Sequence, residues 1–292
     1  MQNQIQIAIA PIKWPTKSTN DQTELTSTME DIKNAKFGGC ELAEKFPHDP
    51  FFLQSTLKPH GLQVCGAQFN SNFTDKDKYT ATVERFIDHM HFLSAVNSKK
   101  IIIREVGHGH YDMDKPMFTK QPEFSKEQWR LLIQGLTKVR NIAKEANMKI
   151  IYQPYVGTGI HTEQQISKLM EKTNKINLSL LLDTGNLSLL GISPAKLVKQ
   201  YTKRVSYIYL KDVNKRLLTK AKKENLSYTQ AKDLGVFTTP GKGSLNFTPL
   251  FNALKKENYQ DWIVVHGMQN DNTKFSSFAK STRKFLKLKL GI

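Results

Sequence analysis

Short apolar runs alternate with longer segments of helical periodicity along almost the whole chain. Ile5 to Ala10 is a short apolar strand, and Thr23 to Lys36 reads as a helix that stops before Gly38-Gly39. Cys40 to Ala43 is a second strand, followed by a helical turn from Pro50 onward, and Leu62 to Ala67 is a third. Between Thr80 and Val96 the residues Val83, Phe86, Ile87, Met90 and Leu93 recur at the spacing of one helix face. Ile101 to Ile103 is a fourth strand, β-branched throughout as a strand buried on both faces should be. After a long loop, Ser125 to Ala146 places Trp129, Leu132, Ile133, Leu136, Val139 and Ala143 at helical spacing. Lys149 to Tyr152, Leu178 to Leu182, Val205 to Leu210 and Trp262 to Val265 bring the strands to eight, each but the last separated from its successor by a helix-sized segment.

Eight strand–helix units in 292 residues predict one α/β domain over 1–292, a closed parallel (β/α)8 barrel of the TIM type, which typically takes about 250 residues. An open doubly wound sheet would want a glycine-rich phosphate turn after its first strand. Ala10-Pro11-Ile12-Lys13-Trp14 has no glycine there. In a barrel, chemistry gathers at the C-terminal ends of the strands. The polar residues at those ends are Trp14, Glu41, Gln68, Glu105, Gln153, Asp183, Asn186, Tyr209 with Lys211, and His266. They suit a hydroxyl-rich small molecule, because they are polar and converge on one concave end.

Composition narrows the remaining possibilities. The start of the chain, Met1 to Ile12, lacks the charged and apolar regions of a signal peptide, and no apolar run approaches the roughly 20 residues of a bilayer span, so a cytoplasmic protein without a membrane partner is expected. Two cysteines, Cys40 and Cys65, are too few for a disulfide framework and read as buried free thiols. A net charge of +17 invites a polyanionic partner, yet it is diffuse. Residues 196–225 hold ten Lys or Arg against Asp212 and Glu224, and the tail from 273 holds six with no acid. In that tail Lys280, Arg283, Lys284 and Lys287 are placed on the solvent side of a helix burying Phe278, Phe285 and Leu288. Aromatics are not interleaved with the charge and no nucleic-acid motif is present, so only nonspecific binding to nucleic acid at low salt is expected.

Several motifs stand in order from Ile5 to about Arg283: Ala10-Pro11-Ile12-x-Trp14, Glu41-x-x-x-Lys45-Phe46-Pro47-x-Asp49-Pro50, Gly157-Thr158-Gly159 followed by Thr162-Glu163, Asp183-Thr184-Gly185, Leu210-Lys211-Asp212, and Gly235-Val236-Phe237-Thr238-x-Pro240-Gly241-x-Gly243. Together they resemble inosose dehydratase, a myo-inositol catabolism family within the xylose-isomerase-like sugar isomerase and epimerase barrels. The resemblance implies removal of water from a keto-inositol, with manganese or cobalt on the substrate oxygens and homodimers as a common assembly. Carried over by position, the ligand set is incomplete. Asp183 alone is unchanged; Gln153-Pro154-Tyr155 stands for a His-rich segment, Tyr207 and Tyr209 for the two His before Leu210-Lys211-Asp212, Asn186 for a His, and His266 for a Glu, with Gly267 and Met268 after it. A neutral phenol, with pKa near 10, is a poor ligand for such an ion. Lys242 and Asn246 also replace two Asp.

Three readings follow. In the first, the mouth is a rebuilt dehydratase or isomerase site: Asp183 and His266 hold a metal with help from Glu41 or Glu105, or His266 acts as a base with Lys211 stabilising an enolate, while Trp14, Gln68, Gln153, Asn186 and Tyr209 bind the polyol. In the second, Glu41, Glu105, Gln68, Gln153, Asn186 and the two tyrosines, Tyr207 and Tyr209, recognise hydroxyls in a non-catalytic polyol binder, a sensor or partner subunit. The third, an abasic-site endonuclease, needs a multi-metal His, Asp and Glu cluster that this mouth does not supply. One further group, Glu105-x-x-His108-x-His110, has spacing that can chelate in an extended segment, and His161 precedes the predicted N-cap Thr162.

Overall fold

The alternating elements close into a barrel in the computed structural model, which describes residues 5–10, 22–42, 49–110, 115–116, 118, 121–266 and 274–291. The strands β1 (Gln6–Ala10), β2 (Gly39–Leu42), β3 (Gln63–Ser71), β4 (Lys100–Glu105), β5 (Lys149–Tyr152), β6 (Ser179–Asp183) and β7 (Val205–Leu210) each pair in parallel with the next. Barrel strand eight is β10 (Trp262–His266), which pairs with both β7 and β1 and closes the ring. Between them lies a two-stranded antiparallel ribbon, β8 (Asp212–Val213) with β9 (Phe237–Thr238).

Helices α1 (Gln22–Asn34), α2 (Pro50–Leu57), α3 (Tyr79–Ala95), α4 (Lys126–Glu145), α5 (Glu163–Lys172), α6 (Thr184–Leu189), α7 (Pro194–Gln200), α8 (Lys215–Lys223), α9 (Tyr228–Asp233), α10 (Thr248–Lys256) and α11 (Phe275–Leu290) follow in chain order. Local chemistry sets their starts. Ser125 with Gln128 and Thr162 with Gln165 form capping boxes at α4 and α5, each worth about 1 kcal/mol. Their ends use asparagine: Asn97, Asn147, Asn177, Asn225 and Asn258 adopt positive φ, where asparagine is tolerated better than other residues with a Cβ. Among the described residues no helix is long and apolar enough to cross a membrane.

Strand alternation sorts the apolar residues into two layers. Ile9, Ile101, Ile103, Leu180, Leu182 and Ile208 pack outward against the helices, while Ala8, Cys65, Ile102, Ile151, Leu181, Tyr207 and Val264 fill the interior. Cys40 belongs to the outer layer and Cys65 to the inner one, both as buried free thiols.

The structure corrects three expectations. Strand β3 runs on to Ser71, four residues past Ala67, because Gln68-Phe69-Asn70-Ser71 continues the pairing with Ile102 to Glu105. In α11 the buried face is Phe278, Ala279, Thr282, Leu286 and Leu290, with Phe285 half-buried and Leu288 75% exposed. Leu288 lies two positions from both Leu286 and Leu290, hence on the opposite face of the helix. Strand β4 ends on Glu105 with that side chain outside the barrel, a displacement with consequences for the mouth.

Candidate active site

Counting along each strand by twos from its interior residue gives the ring at the mouth. Ile102 leads to Arg104, Ile151 to Gln153, Leu181 to Asp183, Tyr207 to Tyr209 and then Lys211, and Val264 to His266. Glu41 and Gln68 complete it from β2 and β3. Trp14 lies outside the described residues.

Asp183 is the N-cap of α6, and its Oδ1 accepts from Asn186 N at 3.1 Å. Its Oδ2 accepts three more bonds, from Lys211 Nζ at 2.9 Å, Asn186 Nδ2 at 2.9 Å and Gln153 Nε2 at 3.2 Å. The Lys211 ammonium and the Asp183 carboxylate thus form a buried ion pair. Arg104 Nη2 donates to Gln153 Oε1 at 2.9 Å, which turns the amide nitrogen of Gln153 toward Asp183. The guanidinium also lies 3.7 Å from the centre of the Tyr155 ring. Gln68 Nε2 reaches Gln153 Oε1 and Asn70 Oδ1, both at 3.4 Å.

Across the mouth, Glu41 is buried, and its two oxygens accept from Tyr207 Oη at 2.7 Å and Tyr209 Oη at 2.8 Å. Burial pushes its carboxyl up to about 7, against the opposing pull of those two phenols and of the Lys211 and Arg104 charges. His266 packs on Tyr209, ring centres 4.1 Å apart, with Nε2 at 3.7 Å from Glu41 Oε1. That distance is too long for a hydrogen bond. Burial, and then the Lys211 and Arg104 charges, hold His266 well below its ordinary pKa, so it is neutral. The mouth therefore combines an ion pair, a second fixed cation, and a carboxyl that can hold or release a proton near neutral pH.

Glu105, read from sequence as a mouth residue, is not one. Its carboxylate accepts from Ser71 Oγ, Phe73 N, Thr74 N, Thr74 Oγ1 and Gly107 N at 2.7–3.2 Å, anchoring the segment after β3. Arg104 takes its place in the ring. Because Ile101-Ile102-Ile103 is apolar on both faces, the run gives no clue to which of the next two residues points inward. Tyr207 and Tyr209, two residues apart on β7, both face inward as hydroxyl donors, but their joint hold on Glu41 was not read from the sequence. The histidines do not assemble with Glu105 as a chelate: His108 Nδ1 meets Thr74 Oγ1 at 3.0 Å, and buried His161 Nδ1 meets Thr158 O at 2.8 Å.

The divalent ion implied by the sequence resemblance does not fit this donor set. Asp183 is fully engaged by nitrogen donors, one of them a cation, Glu41 is engaged by two phenols, and Gln153 presents its amide nitrogen. Among the described residues no three His, Cys, Asp or Glu are placed to hold a metal.

Barrel, closure and mouth together define the class, and the model of the xylose isomerase-like TIM barrel family matches residues 29–287. Inosose dehydratase of Clostridium tetani is 35% identical over a 298-residue alignment covering 99% of each chain, and that of Geobacillus thermodenitrificans is 36% identical over 277 residues, 92% of this chain and 91% of that one. The chain belongs to the inosose dehydratase family of these barrels. Solved structures share the fold at low identity: an L-ribulose 3-epimerase has a TM-score of 0.74 at 18% identity, covering 99% of this chain and 95% of its own. A probable 3-DHS dehydratase of Bacillus anthracis has a TM-score of 0.74 at 12% identity, covering 97% of this chain and 99% of its own.

Proposed function

We propose that the mouth binds a cyclic keto-polyol of the inosose type and moves a proton on it at Glu41. The observation that carries this reading is the geometry of Glu41, a buried carboxyl whose two oxygens are held by Tyr207 and Tyr209 with the His266 imidazole 3.7 Å away, where burial pushes the carboxyl up to about 7. A general base works best when its pKa lies near the working pH. In this scheme Glu41 takes the proton next to the ketone, and His266, held neutral 3.7 Å away, adds no positive charge that would keep Glu41 from holding it. Gln68, Gln153, Asn186 and Tyr209 set the ring of hydrogen-bonding groups that recognises hydroxyls. Family membership supports a dehydratase-like reaction, in which Glu41 takes the proton from the carbon beside the ketone, the C–O bond on the next carbon breaks as the C=C bond forms, and Glu41 returns that proton to the leaving hydroxide so that water departs.

The test is dehydration of scyllo-inosose by the purified chain, followed by ultraviolet absorbance of the enone product. Glu41→Gln should lower kcat by about 10²-fold or more while leaving the Kd for inosose within a few-fold. Equal turnover by Glu41→Gln overturns the assignment. A second reading, a binder without turnover, is favoured by the full engagement of both Glu41 oxygens. Its signature is thermal stabilisation by inosose with no product.

A further inference from the structure

The mismatch between this mouth and a divalent ion has a positive content, because a cation is already built in. Lys211 follows β7 immediately, and its backbone is clamped by one hydroxyl: Thr184 Oγ1 donates to Lys211 O at 2.6 Å and accepts from Lys211 N at 2.8 Å. Gly185 leaves the room this approach needs, since a Cβ there would lie 2.9 Å from Lys211 Cβ. The side chain then runs between Tyr209 and Phe237, its Nζ 5.4 and 6.0 Å from their ring centres, to reach Asp183. Every part of the Asp183-Thr184-Gly185 turn thus acts on Lys211: the carboxylate binds its ammonium, the hydroxyl holds its backbone, and the glycine makes space.

We infer that the Lys211 ammonium, clamped by Asp183 and Thr184, supplies the positive charge of this mouth in place of a divalent ion and binds the carbonyl oxygen of the ligand. A metal at about 2 Å from Asp183 Oδ2 would have to displace Nζ at 2.9 Å, and would then face both that ammonium and the Arg104 guanidinium. The Arg104–Gln153 bond further opposes it, since it turns an amide nitrogen, which does not ligate, onto the same oxygen. An ammonium carries three donors, and among the described residues one is committed, to Asp183. A second can meet a ketone oxygen. As a proton leaves the neighbouring carbon for Glu41, the negative charge gathered on that oxygen is met by the ammonium; no covalent bond to the protein forms, and no electron donor or acceptor is required. In this scheme Lys211 touches the ligand, whereas Asp183 and Thr184 are positioning residues.

This inference rests on the proposed function for its ligand but not for its metal arm. Titration calorimetry of the EDTA-treated full chain with MnCl2 and CoCl2 should give no saturable one-to-one binding, and its melting temperature should not move. Saturable binding of either ion that disappears in Asp183→Asn overturns the inference. Binding of scyllo-inosose should be unchanged by EDTA. The double variant Lys211→Met with Asp183→Asn removes both buried charges together, which protects the fold better than a single removal. Its melting curve reports folding, and the folded double variant should bind inosose at least 10-fold more weakly than the parent. Binding within 3-fold of the parent overturns the role of Lys211. If the parent binds no inosose, the proposed function fails, and the metal titration still decides whether Lys211 has replaced the ion.

Discussion

Glu41 holds its proton more tightly in the folded chain than in the unfolded one, with a pKa raised by burial from 4.5 to about 7. The sign of its effect on stability follows. Below about pH 4.5 the group is protonated in both states and contributes nothing against folding. Between pH 4.5 and 7 the folded state binds more protons than the unfolded state, so stability falls as pH rises, by about 3 kcal/mol across the interval. His266 acts the other way, because its pKa is lowered on folding and its contribution is lost as pH falls below the ordinary range. Urea unfolding of the parent and of Glu41→Gln separates the two. The parent should lose about 3 kcal/mol relative to the variant between pH 4.5 and 7 and run parallel to it above. Parallel curves throughout would contradict the burial-driven shift. At this scale the sequence was informative about identity and poor about partners. It placed Glu41, Gln68, Gln153, Asp183, Tyr209, Lys211 and His266 in one ring, but it could not show that Lys211 lies on Asp183 or that the tyrosines lie on Glu41, since both pairings join residues far apart in the chain.

The elements were more legible, and the exceptions have physical causes. Each of the eight barrel strands was visible as a short apolar run, since a strand covered on both faces has no polar side to interrupt it. The same property hid the inward positions of β4 and led to Glu105 instead of Arg104. The ends of strands were less visible where polar residues continue a ladder into the mouth, as Gln68 to Ser71 do in β3. Shared motifs turn out to be locks between elements. Asp212 accepts from Val213 N, Gly241 N, Gly243 N and Leu245 N at 2.8–3.0 Å, tying the loop before α10 to the end of β7. A Cβ on Gly243 would lie 2.3 Å from Asp212 Oδ1. Gly243→Ala should therefore cost about 2–3 kcal/mol, through loss of hydrogen bonds to a buried carboxylate, with the loss read in chemical denaturation. A cost below about 0.5 kcal/mol would show that the loop is not held by this carboxylate. Such locks position backbone, whatever chemistry the mouth performs.

Much of the molecule's positive charge is exposed on two helices, α8 and α11. Lys215, Lys220, Lys222 and Lys223 are exposed on α8, and Lys280, Lys284, Lys287 and Lys289 on α11. The two groups are bridged by the 241–245 loop: Ser244 Oγ accepts from Lys215 N at 3.3 Å, and Gly241 packs on Phe285 of α11. No acid on α11 interrupts its share of this band. Such a surface binds polyanions by counterion release and without sequence preference. Fluorescence anisotropy with a short DNA duplex should detect binding at ~20 mM salt that is lost by ~200 mM. Retention above that range would point to a built site instead of a diffuse field.

The two thiols sit on neighbouring strands yet on opposite sides of the barrel wall, Cys40 among the helices and Cys65 in the interior beside Tyr207 at 3.0 Å. Burial pushes Cys40 up to about 12 and raises Cys65 as well, so neither offers a thiolate at neutral pH. A bridge between them would have to pass through the wall. Oxidants therefore meet no thiolate at these two positions in the folded barrel, and thiol chemistry at Cys40 and Cys65 becomes a property of the unfolded state.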